Sequence, residues 1–236
     1  MAEKVAKEPK VTLAIVIPVY NEEKVIRQVI EGLPKKIDGI DKISIIAVDD
    51  SSTDQTLREV SKTGATVLHH RANLGYGGAV LTGLRAAQRT NSDIVATFDG
   101  DGQHDPQDIA RIVGPIIEGR AEIVIGSRTK ARGMPVYKKI GNWGLNFITL
   151  VLSGKWSSDS QSGLRAFSKK SLPYLTNLSS GYEFCSEILI EAKRHRLDIR
   201  EVPVKAIYTR YSRSKGQNVL NAINIITKLI FKKITG

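Results

Sequence analysis

Ile94-Val95-Ala96-Thr97-Phe98-Asp99-Gly100-Asp101-Gly102-Gln103-His104 joins an apolar run to a cluster of acids and glycines. An unbroken apolar run bounded by such a cluster predicts a strand covered on both faces, as in parallel sheets. The polar cluster then stands at the strand's carboxyl end, the edge at which open α/β sheets bind ligands. Two residues apart in extended chain, Asp99 and Asp101 can point the same way. Gly100 and Gly102 remove side-chain bulk, so a ligand can approach the backbone. Two carboxylates facing a cleft repel each other unless a cation lies between them. Mg²⁺ or Mn²⁺ suits that place, because each prefers oxygen ligands and bridges to substrate phosphates. Gln103 and His104 are near enough to complete or orient the metal's shell. The plainer alternative is an acidic turn capping the helix after Pro106, and an Asp-x-Asp pair alone does not exclude it.

Outward from this stretch the same pattern recurs. Residues 11–19 and 43–48 predict two further buried strands. The first leads into a helix over 22–33, with Val25, Ile26, Val29, Ile30 and Leu33 at helical spacing. The second ends in Asp49-Asp50-Ser51-Ser52-Thr53-Asp54, a turn that also caps a helix through Thr56, Leu57 and Val60. A short strand at 65–68, a helix over 78–89, a helix with Pro106 in its first turn running to 117, and a strand at 123–125 follow. Strands alternating with helices imply parallel βαβ units with right-handed crossovers. Beyond Arg128 the alternation breaks into a helix at 137–152, a strand at 162–167, a helix at 183–196, a strand at 199–204 and a final helix at 218–234. The expected organisation is a flexible charged N-terminus over 1–10, one Rossmann-like α/β domain over 11–216 with a mostly parallel central sheet flanked by helices, and an amphipathic helix over 217–236.

Composition narrows the partners. A hydrophobic content of 41% with 25% charged residues describes a folded domain, and the net charge of +11 favours anionic ligands or surfaces. The single cysteine, Cys185, excludes an internal disulfide and a Cys-based metal site, and reads as a small buried residue in a reducing compartment. Residues 1–10 are charged, unlike a secretory signal. No apolar run reaches the roughly 18 residues needed to cross a bilayer. A cytoplasmic protein lying on the membrane's cytoplasmic face is expected: helices 137–152 and 218–233 carry apolar stripes with basic flanks, and Trp143 and Trp156 suit headgroup depth. The alternatives are that these stripes pack on the domain's own sheet or on a partner chain.

Four motifs make the pattern specific: Ile17-Pro18-Val19-Tyr20-Asn21-Glu22, Val48-Asp49-Asp50-Ser51-Ser52-Thr53-Asp54, Asn73-Leu74-Gly75 and Asp99-Gly100-Asp101-Gly102-Gln103-His104. In this order they resemble family 2 glycosyltransferases, above all the dolichol-phosphate mannose synthase branch. Gly126-Ser127-Arg128, Asp159-Ser160-Gln161-Ser162-Gly163-Leu164-Arg165 and Tyr211-Ser212-Arg213-Ser214-Lys215 extend the likeness. The resemblance implies a GT-A fold and a nucleotide-diphosphate sugar as donor. It implies Pro18, Tyr20, Glu22, Val48 and Asp50 around the nucleoside, and Asp99, Asp101 and Gln103 on Mg²⁺ or Mn²⁺. Arg128, one of Lys138 or Lys139, and Arg210 or Lys215 would meet the acceptor and donor phosphates. Two departures stand out: Ser51 replaces the usual glycine of the second motif, and lysine at 138 or 139 offers a point charge where an arginine fork is frequent.

The implied reaction moves a sugar to a polyprenyl or dolichyl phosphate with inversion, Asp99, Asp101 and Arg128 being catalytic. A phosphate acceptor is already ionised and needs positioning and charge neutralisation rather than a base. A hydroxyl of a glycan or glycerolipid would need a base, for which Asp159 or Glu183 is the candidate. A sugar nucleotidyltransferase or a dinucleotide oxidoreductase would carry a glycine-rich loop after the first strand, where Pro18-Val19-Tyr20-Asn21 stands; Gly75-Tyr76-Gly77-Gly78 is only a partial fingerprint. A basic nucleic-acid-binding module would account for the charge, but strand-end carboxylates repel phosphates without a metal, so no nucleic-acid partner is expected.

Overall fold

The computed structural model describes residues 10–128 and 156–207 except 182, together with 146, 149–151 and 154. Strands β1 (Thr12–Val19), β2 (Lys42–Asp49), β3 (Thr66–His69), β4 (Ile94–Thr97), β5 (Ile123–Ser127), β6 (Arg165–Ser168) and β7 (Ile199–Pro203) form one sheet in the order β3-β2-β1-β4-β6-β5-β7. Helices α1 (Ile26–Glu31), α2 (Thr56–Ser61), α3 (Gly75–Arg89), α4 (Asp108–Ile117), α5 (Leu172–Leu175) and α6 (Phe184–Arg194) accompany it.

β1 is the hub because nearly every residue in it is apolar and inaccessible. Its side chains alternate between two faces. Leu13, Ile15 and Ile17 join Ile26, Val29 and Ile30 of α1 and Ile109, Ile112 and Val113 of α4 in one core layer. Ala14 and Val16 join Ala79, Val80 and Leu84 of α3 and Ile188 and Leu189 of α6 in the other. Helices therefore cover both faces, the three-layer solution for a parallel sheet. On the second face α3 rides close to β1: a Cβ at Gly83 would collide with the Val16 side chain.

The chain steps outward through β1, β2 and β3, and α3 then carries it back to β4 on the far side of β1. β1 lies parallel to both β2 and β4. The reversal makes the carboxyl edge between β1 and β4 a topological switch point, where open α/β sheets bind ligands.

The sheet is mostly parallel as expected, with one insertion that alternation does not reveal. β6 lies between β4 and β5, antiparallel to both, so β5 is not the neighbour of β4. Several boundaries also move. α1 begins at Ile26 because the Glu22 carbonyl first accepts the amides of Val25 and Ile26 in a turn, at 3.1 and 3.0 Å. α3 starts at Gly75, three residues before the predicted start at 78. α4 starts at Asp108, leaving Pro106 in the turn before it, its carbonyl accepting the Ile109 amide at 3.3 Å. β6 starts at Arg165, because Ser162 and Gly163 belong to the loop ahead of it. The segments predicted over 1–9 and 208–236 lie outside the described residues, as does most of the helix predicted at 137–152, including Trp143. Among the described residues no helix is long and apolar enough to cross a membrane.

Candidate active site

The ends of β1 and β2 are level, with Val19 opposite Asp49 and the Asp50 amide donating to the Val19 carbonyl at 2.9 Å. Pro18 and Val48 are opposite one another and buried, so they form floor rather than rim. Tyr20 projects with 46% of its surface exposed, while Glu22 is buried and its amide donates to Thr56 Oγ1 at 2.6 Å. Ser51 has φ of 65°, the left-handed region that a glycine enters freely. The departure noted in the sequence thus costs on the order of 1 kcal/mol of backbone strain.

Asp50 is committed to the start of α3. Its carboxylate accepts the amides of Leu74 and Gly75, each at 2.8 Å, and faces His70 Nδ1 at 2.7 Å. His70 Nε2 in turn lies 2.9 Å from Thr82 Oγ1. An anion at a helix N-terminus satisfies orphan amides and complements the helix dipole. Asp50→Ala is expected to lower stability by about 3 kcal/mol. A thermal melt of the free protein, falling by roughly 6 °C or more, checks this. Its neighbour Asp49 differs: Oδ2 lies 2.7 Å from His69 Nδ1, and buried Oδ1 has no hydrogen-bond partner among the described residues.

On the other side of the switch point β4 ends at Thr97, Phe98 and Asp99 continue without regular structure, and Gly100 and Asp101 form a turn. The two carboxylates therefore meet across a turn, not along extended chain as the sequence suggested. Asp99 Oδ1 accepts the Tyr76 hydroxyl at 3.1 Å, and Oδ2 lies 3.2 Å from His104 Nε2. Asp101 Oδ1 accepts the Gln103 amide at 3.0 Å, and Oδ2 accepts from Gln103 Nε2. His104 is buried beneath the pair, with Nδ1 unpartnered among the described residues. The segment after β7 braces this turn, since the Ile207 amide donates to the Gln103 carbonyl at 2.8 Å.

Charge is concentrated here. Burial, then the negative charge of Asp99 and, further down, of Glu22, pushes the Asp101 carboxyl up to about 6. Burial works in the same direction on Asp99 but is outweighed by His104, Arg128 and the Tyr76 hydroxyl, which hold it below the ordinary carboxylate range. Among the described residues no three His, Cys, Asp or Glu side chains are grouped to hold a metal by themselves. Two carboxylates with one strongly resisting ionisation fit a divalent cation that draws its other ligands from substrate oxygens and water, the habit of Mg²⁺.

At the end of β5 the Arg128 guanidinium grips Asp159 through two parallel bonds, Nε to Oδ2 at 2.7 Å and Nη2 to Oδ1 at 2.9 Å, and its amide adds a third at 3.0 Å. Burial would raise the Asp159 carboxyl, but Arg128 overrides it and leaves it below the ordinary range. That lowers its worth as a general base. Arg165 is buried and donates to the carbonyls of Ser162 at 2.9 Å, Ser160 at 2.5 Å and Cys185 at 3.3 Å, fixing the loop that follows Asp159. Within that loop Gly163 lies directly against Asp99, and its carbonyl accepts Thr97 Oγ1 at 2.7 Å.

Tyr20, Glu22, Asp50, Asp99, Asp101, Gln103 and Arg128 thus gather on one edge, with Pro18 and Val48 beneath. Lys138, Lys139, Arg210 and Lys215 lie outside the described residues. Glu183, the other candidate base, is buried just before α6. Sequence reasoning gave no role to Tyr76 or Gly163 and did not pair Arg128 with Asp159, because these contacts join segments far apart in the chain.

A Rossmann-like sheet with paired carboxylates at its switch point defines a class, the nucleotide-binding α/β proteins. Comparison narrows it. The family model described as Glycosyl transferase family 2 matches residues 14–175. The UDP-N-acetylglucosamine–dolichyl-phosphate N-acetylglucosaminyltransferase of Methanococcus voltae is 44% identical over 93% of this chain and 95% of its own length. The undecaprenyl-phosphate mannosyltransferase of Micrococcus luteus is 28% identical over 87% of this chain and 90% of its own. Glucosyl-3-phosphoglycerate synthase from Mycobacterium tuberculosis, solved with Mn²⁺, UDP and glucosyl-3-phosphoglycerate, superimposes with a TM-score of 0.70 at 25% identity, covering 93% of this chain and 77% of that one. The chain belongs to glycosyltransferase family 2 and is a glycosyltransferase with a GT-A fold.

Proposed function

We propose that this enzyme transfers N-acetylglucosamine from its UDP conjugate to a dolichyl or other polyprenyl phosphate at a membrane surface, inverting the anomeric centre. One observation carries the acceptor class: Asp159 is locked onto Arg128 and held ionised, which suits an acceptor that needs no base better than a hydroxyl. The likeness to the Methanococcus voltae enzyme supports the donor and the lipid phosphate. Exposed Val151 and Trp156 support a surface that meets lipid.

In this reading Tyr20 stacks on the base above Pro18 and Val48, with Glu22 at its edge, and Asp50 shapes that subsite by anchoring α3. Asp99, Asp101 and Gln103 would hold Mg²⁺ or Mn²⁺. A cation held there would supply Lewis-acid stabilisation of the charge that develops on the departing diphosphate. Arg128 orients the acceptor phosphate for in-line attack, the Asp159 carboxylate keeping the guanidinium in place. Attack by the phosphate oxygen breaks the anomeric C–O bond, and the electron pair leaves on UDP.

The test is a panel of radiolabelled nucleotide sugars with polyprenyl phosphate, the lipid product being analysed by NMR. An N-acetylglucosaminyl phospholipid of inverted configuration is expected. Transfer only to hydroxyl acceptors, or retained configuration, would overturn the reading.

A pH dependence follows from Asp101. A carboxyl that titrates at about 6 is protonated below that pH, and the cation must displace the proton. Cation uptake at pH 5 is therefore expected to release roughly one proton, and close to none at pH 8. Calorimetry in buffers of different ionisation enthalpy measures that number.

A further inference from the structure

Tyr76 has no part in the chemistry above, yet it stands on the first turn of α3 with its hydroxyl donating to Asp99 Oδ1 at 3.1 Å. That turn is held from several sides. Asp50 accepts the amides of Leu74 and Gly75, and the Gly78 amide donates to the Ser180 carbonyl at 2.8 Å. Gly77 is pressed so closely on the backbone of Ser180 and Gly181 that a Cβ would not fit. The phenol is thus offered from a rigid frame. Opposite it, His104 Nε2 faces Asp99 Oδ2 at 3.2 Å, and Gly163 closes the remaining side.

We propose that Tyr76 is a positioning residue for the transfer reaction: it fixes the plane of the Asp99 carboxylate toward the cation and ties that carboxylate to the helix anchored by Asp50 on the nucleoside side. The inference rests on the reading that Asp99 helps to hold a divalent cation. Outer partners that orient a metal-ligating group typically change affinity or activity by about 10–100-fold when lost.

Tyr76→Phe keeps the ring and removes only the donor. Titration calorimetry of Mn²⁺ into protein saturated with UDP, with no acceptor present, is expected to show affinity weakened about tenfold. In the transfer assay kcat is expected to fall by a similar factor, with the KM for polyprenyl phosphate unchanged because Arg128 and Asp159 are untouched. The metal-free melting temperature should stay within a few degrees of the parent. If the parent takes up no Mn²⁺, the cation reading fails and this inference falls with it. If the parent binds Mn²⁺ and Tyr76→Phe binds it equally well, the role of Tyr76 alone is overturned. A lowered metal-free melt with unaltered Mn²⁺ affinity also overturns it, since the hydroxyl would then be purely structural.

Discussion

Asp99→Asn is expected to cut sugar transfer by about a thousandfold or more, because loss of about 4 kcal/mol of leaving-group stabilisation corresponds to that factor. The substitution is isosteric, so Tyr76 and His104 retain a polar neighbour and the core is untouched. Charge makes the variant informative in a second way. Part of what raises the Asp101 carboxyl is the negative charge of Asp99. Removing it should let Asp101 ionise more readily, a gain that near pH 7 offsets part of what is lost when a carboxylate no longer pairs with His104, Arg128 and Tyr76. A group whose folded pKa is raised opposes folding above that pKa, and the opposition fades as pH falls through it. Hence that offsetting gain should shrink below pH 6, where the parent's Asp101 is already protonated. Stabilisation by Mn²⁺ with UDP, by contrast, should vanish. Parental turnover, or an undiminished metal-dependent rise in melting temperature, would contradict the role assigned to Asp99.

Gly163→Ala should be the next most damaging change while leaving the fold intact. A Cβ at position 163 would meet both oxygens and the carboxyl carbon of Asp99 far inside van der Waals contact. Gly163 is not among the glycines of positive φ, so an alanine backbone is tolerated there. The collision falls on the end of one side chain, which can swing aside without moving the backbone, at the cost of its bonds to Tyr76 and His104. Swinging aside separates Asp99 from Tyr76 and His104 and from the position a cation would need. A displacement of about 1 Å in a reacting constellation can cost about a hundredfold. Transfer is accordingly expected to fall about a hundredfold in a protein that still unfolds cooperatively. Full activity would show that Asp99 can function from another rotamer.

The two variants mark the border between what the sequence discloses and what only the fold does. β1 is legible because alternation of its apolar side chains between two layers leaves no polar position from Leu13 to Val19, and its end is legible because Tyr20 and Asn21 break it. The Asp99–Asp101 pair is legible because acids and glycines directly after a buried strand have few structural reasons to be there. β6 is not legible as an insertion, since its four residues pair with strands that precede it by dozens of positions, and pairing direction leaves no mark on so short a run. The sequence pattern places the start of α3 at 78, three residues late, because the residue that caps it, Asp50, lies 25 positions before Gly75. That contact also explains why Asp50, an obvious candidate to meet the nucleoside directly, has both oxygens engaged within the protein. The Tyr76 hydroxyl reaches Asp99 only because α3 begins at Gly75 and so sets the phase of its first turn.

Arg128 and Asp159 illustrate the same point. Each was a separate candidate in the sequence, one to bind phosphate and the other to act as a base. Brought together as a bidentate pair, they are no longer independent: the arginine suppresses the basicity of the carboxylate, and the carboxylate orients the arginine. The hydroxyl-acceptor alternative loses one of its two candidate bases in that single contact.

The most direct measurement is transfer from UDP-N-acetylglucosamine to polyprenyl phosphate by chelator-treated protein, with and without added Mn²⁺ or Mg²⁺. No product in EDTA and full recovery on adding either cation are expected; product formed at the same rate in EDTA would contradict a cation held by Asp99 and Asp101.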